Sequence, residues 1–296
     1  MNDISKPFFF SSLLFALLIF GCTKDQNPVS TLPSDLLLAD IYLLPTTPSQ
    51  CDLTTVNAKA SNIGSNVAGN FTIEIFNDVN FNSVPDDSEL IYSNQYSQLS
   101  PNNSVIASII IDSSLVGQLQ FISRILFIQD NNVSNNKLTK LLTVYPCLLL
   151  SSFEKNGQPS SDNWSLPTDA KFSNDAPSGG GSYSLELQAN APPEIYAQIK
   201  VPVSIDFNNY SLTIWSKSTG VTNNIYGKAI LSLLRNGALV QSSSISVDNI
   251  IWQSYSIRDS FNIVVGDSFM VQLTAGASQL FSGKTYFDVC KLRAVD

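Results

Sequence analysis

From Leu36 onward, apolar residues recur at every second position in short runs, and turn-forming residues separate the runs. Phe71, Ile73 and Ile75 alternate with Thr72 and Glu74. Val56, Ala58 and Ala60 alternate with polar residues and stop at Ser61-Asn62-Ile63-Gly64. Tyr210, Leu212 and Ile214 alternate with Ser211 and Thr213. A period of two places such residues on one face of a strand, whereas an amphipathic helix needs a period of 3.6. No convincing amphipathic helix breaks the pattern, so the chain is expected to be all-β.

The runs fall into two groups around the stretch from Ser151 to Trp164, which is rich in turn residues. Before it, runs such as Leu36 to Leu44, Val105 to Ile111, Ile122 to Ile128 and Leu138 to Val144 make about seven strands, the number of a β-sandwich. After it, Tyr183 to Leu187, Ile195 to Val201, Tyr210 to Lys217, Gly227 to Arg235, Leu239 to Val247, Trp252 to Ile257, Ser268 to Thr274 and Lys284 to Leu292 read as strands. With Leu148 to Phe153 they make eight or nine, which fits a two-sheet jelly roll. The expected organisation is a signal segment over 1–21, a disordered tether over 22–32, a first β-sandwich over 33–147 and a jelly roll over 148–296.

Composition narrows the chemistry. The 296 residues include no histidine, which removes Ser-His-Asp and Cys-His catalysis and imidazole-ligated zinc. Hydrolysis by paired carboxylates stays open on this ground alone. Charged residues make up only 14%, and the net charge of −8 comes without a basic stripe, so no nucleic acid is expected as a partner. Gly179 to Gly181 lacks the lysine and helix of a phosphate loop. An enzyme is therefore not expected.

Phe8 to Phe20 is an unbroken run of apolar residues and serine, too short to span a bilayer comfortably and right for a signal-peptide core. It ends Ile19-Phe20-Gly21-Cys22, which resembles the lipobox of bacterial lipoproteins. The resemblance implies cleavage before Cys22, acylation of Cys22 by diacylglycerol and a further fatty acid such as palmitate, and anchoring in a membrane through several chains. Thr23, where an aspartate would retain the protein at the inner membrane, and Lys24-Asp25, similar to a surface-export signal, imply the outer membrane and the cell surface.

The segment 33–147 resembles the CARDB-type immunoglobulin-like domain at Asn62-Ile63-Gly64, at Ser100-Pro101-Asn102-Asn103 and at Asp130-Asn131-Asn132 with Asn135-Asn136. That family mostly supplies spacers and adhesion modules. One loop has chemistry of its own. Asp78 to Glu89 matches the twelve-residue calcium-loop spacing except that Ser83 replaces the glycine. Asp78, Asn80, Asn82, the Val84 carbonyl, Asp86 and a bidentate Glu89 are its candidate oxygens; a plain Asn-rich polar hairpin is the competing reading. Cys51 precedes the second strand and Cys147 follows the seventh. In a seven-stranded sandwich both lie at one pole, and an oxidising envelope permits a bridge between them, although shared polarity does not establish contact.

The segment 148–296 resembles carbohydrate-binding-module and galactose-binding-like jelly rolls. The resemblance rests on Ser152-Phe153-Glu154, Asn156-Gly157, Trp164, Ala176 to Leu185, Tyr210 to Trp215, Trp252 to Tyr255 and Tyr286 to Leu292. It implies a structural calcium between Glu154 and Asp288, with Val289 where a further ligand often stands, and it places Trp164 and Trp252 among packing residues. Cys290 falls at a core position and is expected to be a buried free thiol. Strand parity sets Thr213, Trp215 and Lys217 opposite the Tyr210-Leu212-Ile214 face, where Trp215 either stacks on a sugar whose hydroxyls the Thr213 hydroxyl and Lys217 ammonium bond, or is covered by a neighbouring element. The resulting expectation is a non-catalytic surface lipoprotein that displays a glycan-binding jelly roll on an immunoglobulin-like spacer. The alternative is a structural or adhesive envelope protein whose partner is another envelope component.

Overall fold

The structure is a computed structural model and describes residues 33–189, 194, 196–203, 207–220, 227–276 and 283–296. The expected signal segment, Cys22 and the expected tether lie outside the described residues. The described chain is all-β, with antiparallel sheets and no α-helix among the described residues.

Seven strands build the first sandwich: β1 Leu36–Leu44, β2 Thr55–Asn62, β3 Phe71–Asn77, β4 Leu90–Tyr96, β5 Ser104–Ile110, β6 Gly117–Leu126 and β7 Lys137–Val144. They pair as two sheets, β1-β2-β5 and β4-β3-β6-β7. Leu36, Ile41, Val56, Ile73, Ile75 and Phe121 are buried between them. Each such side chain contributes about 1.5–3 kcal/mol by leaving water. In β1 the alternation slips at a bulge between Leu38 and Asp40. The extra residue moves the inward positions from Leu36 and Leu38 to Ile41 and Leu43, so all four reach the core.

The second sandwich comprises β8 Cys147–Ser151, β9 Glu154–Lys155, β10 Gln158–Pro159, β11 Lys171–Ser173, β12 Ser184–Gln188, β13 Ala197–Pro202, β14 Asn209–Thr219, β15 Gly227–Arg235, β16 Ala238–Val247, β17 Gln253–Ser260, β18 Ser268–Thr274 and β19 Lys284–Ala294. One sheet runs β11-β12-β19-β14-β17, with β8 also paired to β19; the other runs β13-β18-β15-β16. The short β9, β10 and β11 are too brief to show a period in the sequence. Tyr210, Leu212, Ile214, Phe269, Val271 and Phe287 form the centre of the core, with Phe153 and Trp164 packed together at its edge, ring centroids 5.3 Å apart.

The two sandwiches share a seam. Cys51 and Cys147 are disulfide-bonded, their Cα atoms 5.4 Å apart. Beside the bridge, Asp52 accepts from Lys291 and, at 3.1 Å, from Arg293 Nη1. Burial alone would push the Asp52 carboxyl up; the bonds from Lys291 and Ser49 outweigh it and hold the group below its ordinary value. Tyr145 donates to Asp296 at 2.7 Å and stacks at a tilt on Phe207.

Candidate functional site

The outer face of the larger sheet carries the chemistry. Tyr210, Leu212 and Ile214 point into the core, and Thr213, Trp215 and Lys217 stand half-buried on the opposite face of β14. β14 is flanked on both sides. Its neighbours in register are Tyr286 beside Lys217 and Asp288 beside Trp215 on β19, and Ser254 beside Trp215 and Ser256 beside Thr213 on β17. The Thr213 and Ser256 hydroxyls are 3.1 Å apart.

Around Lys217 the face is aromatic. Its ammonium lies 5.4 Å from the centre of the Trp252 ring and 5.1 Å from that of Tyr286, and these two rings meet edge to face at 6.4 Å. Asp175 closes the group: one carboxylate oxygen accepts from Lys217 and the other from Trp252 Nε1 at 2.9 Å. Burial tends to raise the Asp175 pKa, but the bonds from Lys217 and Trp252 hold it below the ordinary value. The next strands extend the row: Glu186 lies beside Tyr286 in register and pairs with Lys284 at 2.8 Å, and Lys171 lies beside Glu186.

Two expectations change here. Trp252 is not a packing residue of the core. It sits half-buried on the outer face, because Tyr255 and Ile257 take the inward positions of β17 and an offset of three from Tyr255 points outward. Lys217 is not a free donor; its side chain is only 13% exposed and is committed to Asp175 and two rings. Sequence reading missed Asp175, Glu186, Tyr286 and Lys284. For Tyr286 the signal was present, since Thr285 and Phe287 are inward residues and Tyr286 alternates with them.

On this face, beside Trp215 and covered by the loop before β12, lies a carboxylate pair. β19 makes a bulge at Val289, whose φ of +45° is unusual for a β-branched residue, and Phe153 beside Glu154 has φ of +54°. The bulge keeps Phe287 inward on one side and Cys290 and Leu292 inward on the other, while Asp288 stays between them, fully buried. The loop before β12 wraps the pair. A Cβ on Gly180 would stand 2.3 Å from Asp288 Oδ2, and one on Gly181 2.2 Å from Glu154 Oε1. Glu154 Oε2 accepts from Ser182 N at 2.6 Å and Tyr183 N at 3.1 Å; Asp288 Oδ1 accepts from Val289 N at 2.8 Å. Asp288 Oδ2 is buried with no hydrogen-bond partner. Burial, with the Glu154 charge adding to it, pushes the Asp288 carboxyl up to about 7. Two neighbouring carboxylates, an orphaned oxygen and a close glycine cradle fit a bound cation. Calcium takes six to eight oxygens, of which Glu154 and Asp288 would supply part. Among the described residues no three acidic, cysteine or histidine side chains converge, so carbonyls or water would complete the set.

Elsewhere, Asp78 and Glu89 of the β3–β4 hairpin are buried, whereas Asn80, Asn82, Val84 and Asp86 are exposed or nearly so. Cys290 is a buried free thiol, and burial raises its pKa. A surface hollow on the first sandwich, between Phe71, Gln95, Phe127 and Val133, is lined by no ionisable side chain.

No family model matches the chain, and no curated protein matches it either. Among solved structures it is similar to the CARDB domain of a Pyrococcus furiosus protein in complex with di-metal ions, at 13% identity and a TM-score of 0.30, over 38% of this chain and 89% of that one. It is also similar to a family 61 carbohydrate-binding module in complex with β-1,4-galactotriose, at 16% identity and a TM-score of 0.34, over 48% of this chain and 93% of that one. A third is a xylan-binding family 22 module from Paenibacillus barcinonensis, at 17% identity and a TM-score of 0.35, over 51% of this chain and 95% of that one. These likenesses concern the fold and say nothing of what this chain binds.

Proposed function

We propose that this chain is a non-catalytic binding protein whose second sandwich takes a glycan on the outer face of its larger sheet. The first sandwich serves as the spacer, and a lipid anchor at Cys22 holds the protein at the outer surface of a bacterial cell. The observation that carries the glycan reading is the gathering of Trp215, Trp252 and Tyr286 on one sheet face among hydroxyl and charged side chains. A ring laid on the apolar face of a pyranose excludes water from both, and flanking polar groups bond the sugar hydroxyls. Trp215 is the stacking residue and Thr213 its hydroxyl neighbour. Lys217 fixes the Trp252 and Tyr286 rings through its ammonium and Asp175. The Glu154–Asp288 pair favours a structural cation over hydrolysis, because Asp288 is sealed under the Gly180 loop, where no substrate atom reaches it.

The test is glycan-array binding of the full chain made soluble by Cys22→Ser. Wild type should bind at least one glycan class. Trp215→Ala should weaken that binding by roughly 1–3 kcal/mol, the value of a buried ring, with a melting temperature within a few degrees of wild type. A Trp215→Ala protein that binds equally well, or that melts far lower, would make Trp215 a packing residue and remove the site. If wild type binds no glycan, the structural or adhesive envelope protein becomes the better reading.

A further inference from the structure

We propose that the hairpin between β3 and β4 is a second cation site, specific for calcium, independent of the jelly roll and of its ligand. The loop begins at Asp78 and ends at Glu89, both of which the fold buries: Asp78 is fully covered and Glu89 is 7% exposed. Asp78 is held from behind. Its Oδ2 accepts from Ser83 N at 2.8 Å and Gln120 Nε2 at 2.6 Å, and its Oδ1 from Asn82 N at 3.2 Å. Gln120 also reaches the Ser83 hydroxyl at 2.9 Å, tying the loop to β6.

Glu89 is the decisive residue. Its Oε1 accepts from Val79 N at 3.2 Å and Asn80 Nδ2 at 2.9 Å, which turns the carboxylate toward the first residues of the loop. Its Oε2 is buried and has no hydrogen-bond partner. A protein does not bury half of a carboxylate unpaired without a compensating group, because the charged oxygen loses its water and gains nothing. A cation at the mouth of the loop compensates it. The twelfth place of a calcium loop calls for a glutamate that uses both oxygens.

The remaining oxygens sit at the right places in the chain. Asn80, Asn82 and Asp86 occupy the third, fifth and ninth positions and Val84 the seventh. Phe81 and Ser83, at the fourth and sixth, have φ of +57° and +59°, so the backbone makes the sharp turn that glycine usually makes. Asn80 must rotate its amide to present oxygen, since its nitrogen now faces Glu89. The carboxylates of the site are few: Asp78 and Glu89 are buried at its ends, Asp86 is exposed with its Oδ1 bonded to Ser88, and among the described residues no three such groups converge. Lys137 also donates to the Ser83 carbonyl at 3.1 Å. Low charge places the affinity in the extracellular range, about 10⁻⁴ to 10⁻³ M, where the ion is occupied outside the cell and absent inside. Magnesium, which holds its waters tightly and wants a compact octahedron, suits this long loop less.

The experiment is a calcium chloride titration of the chelator-treated full chain, soluble as Cys22→Ser, followed by NMR at the backbone amides of Asn80 to Val84 and Asp86 to Ser88. These amides report the hairpin alone, so calcium at Glu154 and Asp288 does not interfere. They should shift and saturate at millimolar calcium in wild type and stay still in Glu89→Gln. Asn82→Asp adds one ligand charge and should tighten binding about tenfold, which keeps the test sound if Glu89→Gln folds poorly. Amides that stay still up to 20 mM calcium in wild type, or an Asn82→Asp midpoint equal to wild type, would overturn the site.

Discussion

Three consecutive glycines allow the packing of the carboxylate cradle to be measured one contribution at a time. Gly179 has φ of +82° and open space around a built Cβ. Gly180 has no positive φ but would place a Cβ 2.3 Å from Asp288 Oδ2 and 2.7 Å from Pro177 Cγ. Gly181 has φ of +95° and would place one 2.2 Å from Glu154 Oε1. Gly179→Ala therefore meets only the left-handed backbone penalty of about 1–2 kcal/mol, partly offset by the smaller entropy of the unfolded alanine chain, about 0.4–1 kcal/mol. Gly180→Ala meets only overpacking, about 1–3 kcal/mol. Asp288 is buried at a bulge and has little room to retreat. Gly181→Ala meets both, about 2–5 kcal/mol in sum. At about 2–4 °C per kcal/mol for a domain of this size, the calcium-free proteins should melt in the order Gly179→Ala, Gly180→Ala, Gly181→Ala from highest to lowest, the last roughly 4–20 °C below wild type. Differential scanning calorimetry in chelator decides it. If Gly179→Ala and Gly181→Ala fall equally, the loop does not close on Glu154 and the cradle is misplaced.

Asp288 gives a pH dependence with an unusual sign. Its folded-state pKa is raised to about 7, chiefly by burial, above an ordinary value of 3.8. Between about pH 4 and 7 the folded chain therefore holds a proton that the unfolded chain has released. The stability of the calcium-free protein should fall as pH rises through that window, by no more than about 4 kcal/mol, and level off above it. Asp288→Asn should flatten the slope in urea titrations between pH 5 and 7; an unchanged slope would place the titration elsewhere. The Cys51–Cys147 bridge spans 96 residues of sequence, and replacing both with alanine should cost about 2–5 kcal/mol, read as a lower urea midpoint; equal midpoints would show that the seam holds without it. Radiolabelled palmitate fed to producing cells should label wild type and not Cys22→Ser; label on both would mean that Cys22 is not acylated.

What the sequence made legible was local. The period of two in Phe71-Ile73-Ile75 and Tyr210-Leu212-Ile214 gave the all-β class and the inward faces, because alternation belongs to a single strand and needs no partner. Parity also put Trp215 outward, and it would have put Trp252 outward too; placing Trp252 in the core followed the family pattern instead of Tyr255 and Ile257 beside it. The bulges at Asp40 and Val289 were not legible. Each shifts the inward positions by one, and the shift shows only when the neighbouring strand is known.

The same limit explains why the cradle and the aromatic group stayed hidden while their members were in plain view. Glu154 lies on a strand of two residues, Gly180 and Gly181 on a loop, and Asp288 at a bulge, so none carries a periodic signal. They meet because β19 runs through the middle of the sheet and collects β8, β12 and β14 at once. Asp175, on the loop after β11, likewise reaches across the sheet to Lys217 on β14 and to Trp252 just before β17. β19 thereby sets Asp288 on the outer face, directly beside Trp215 in register. The proposed cation and the proposed glycan would then be neighbours through one strand. Loss of the proposed cation would leave the Glu154 and Asp288 carboxyls facing each other, and a disturbance at Asp288 would reach Trp215 through the backbone pairing that joins those two residues.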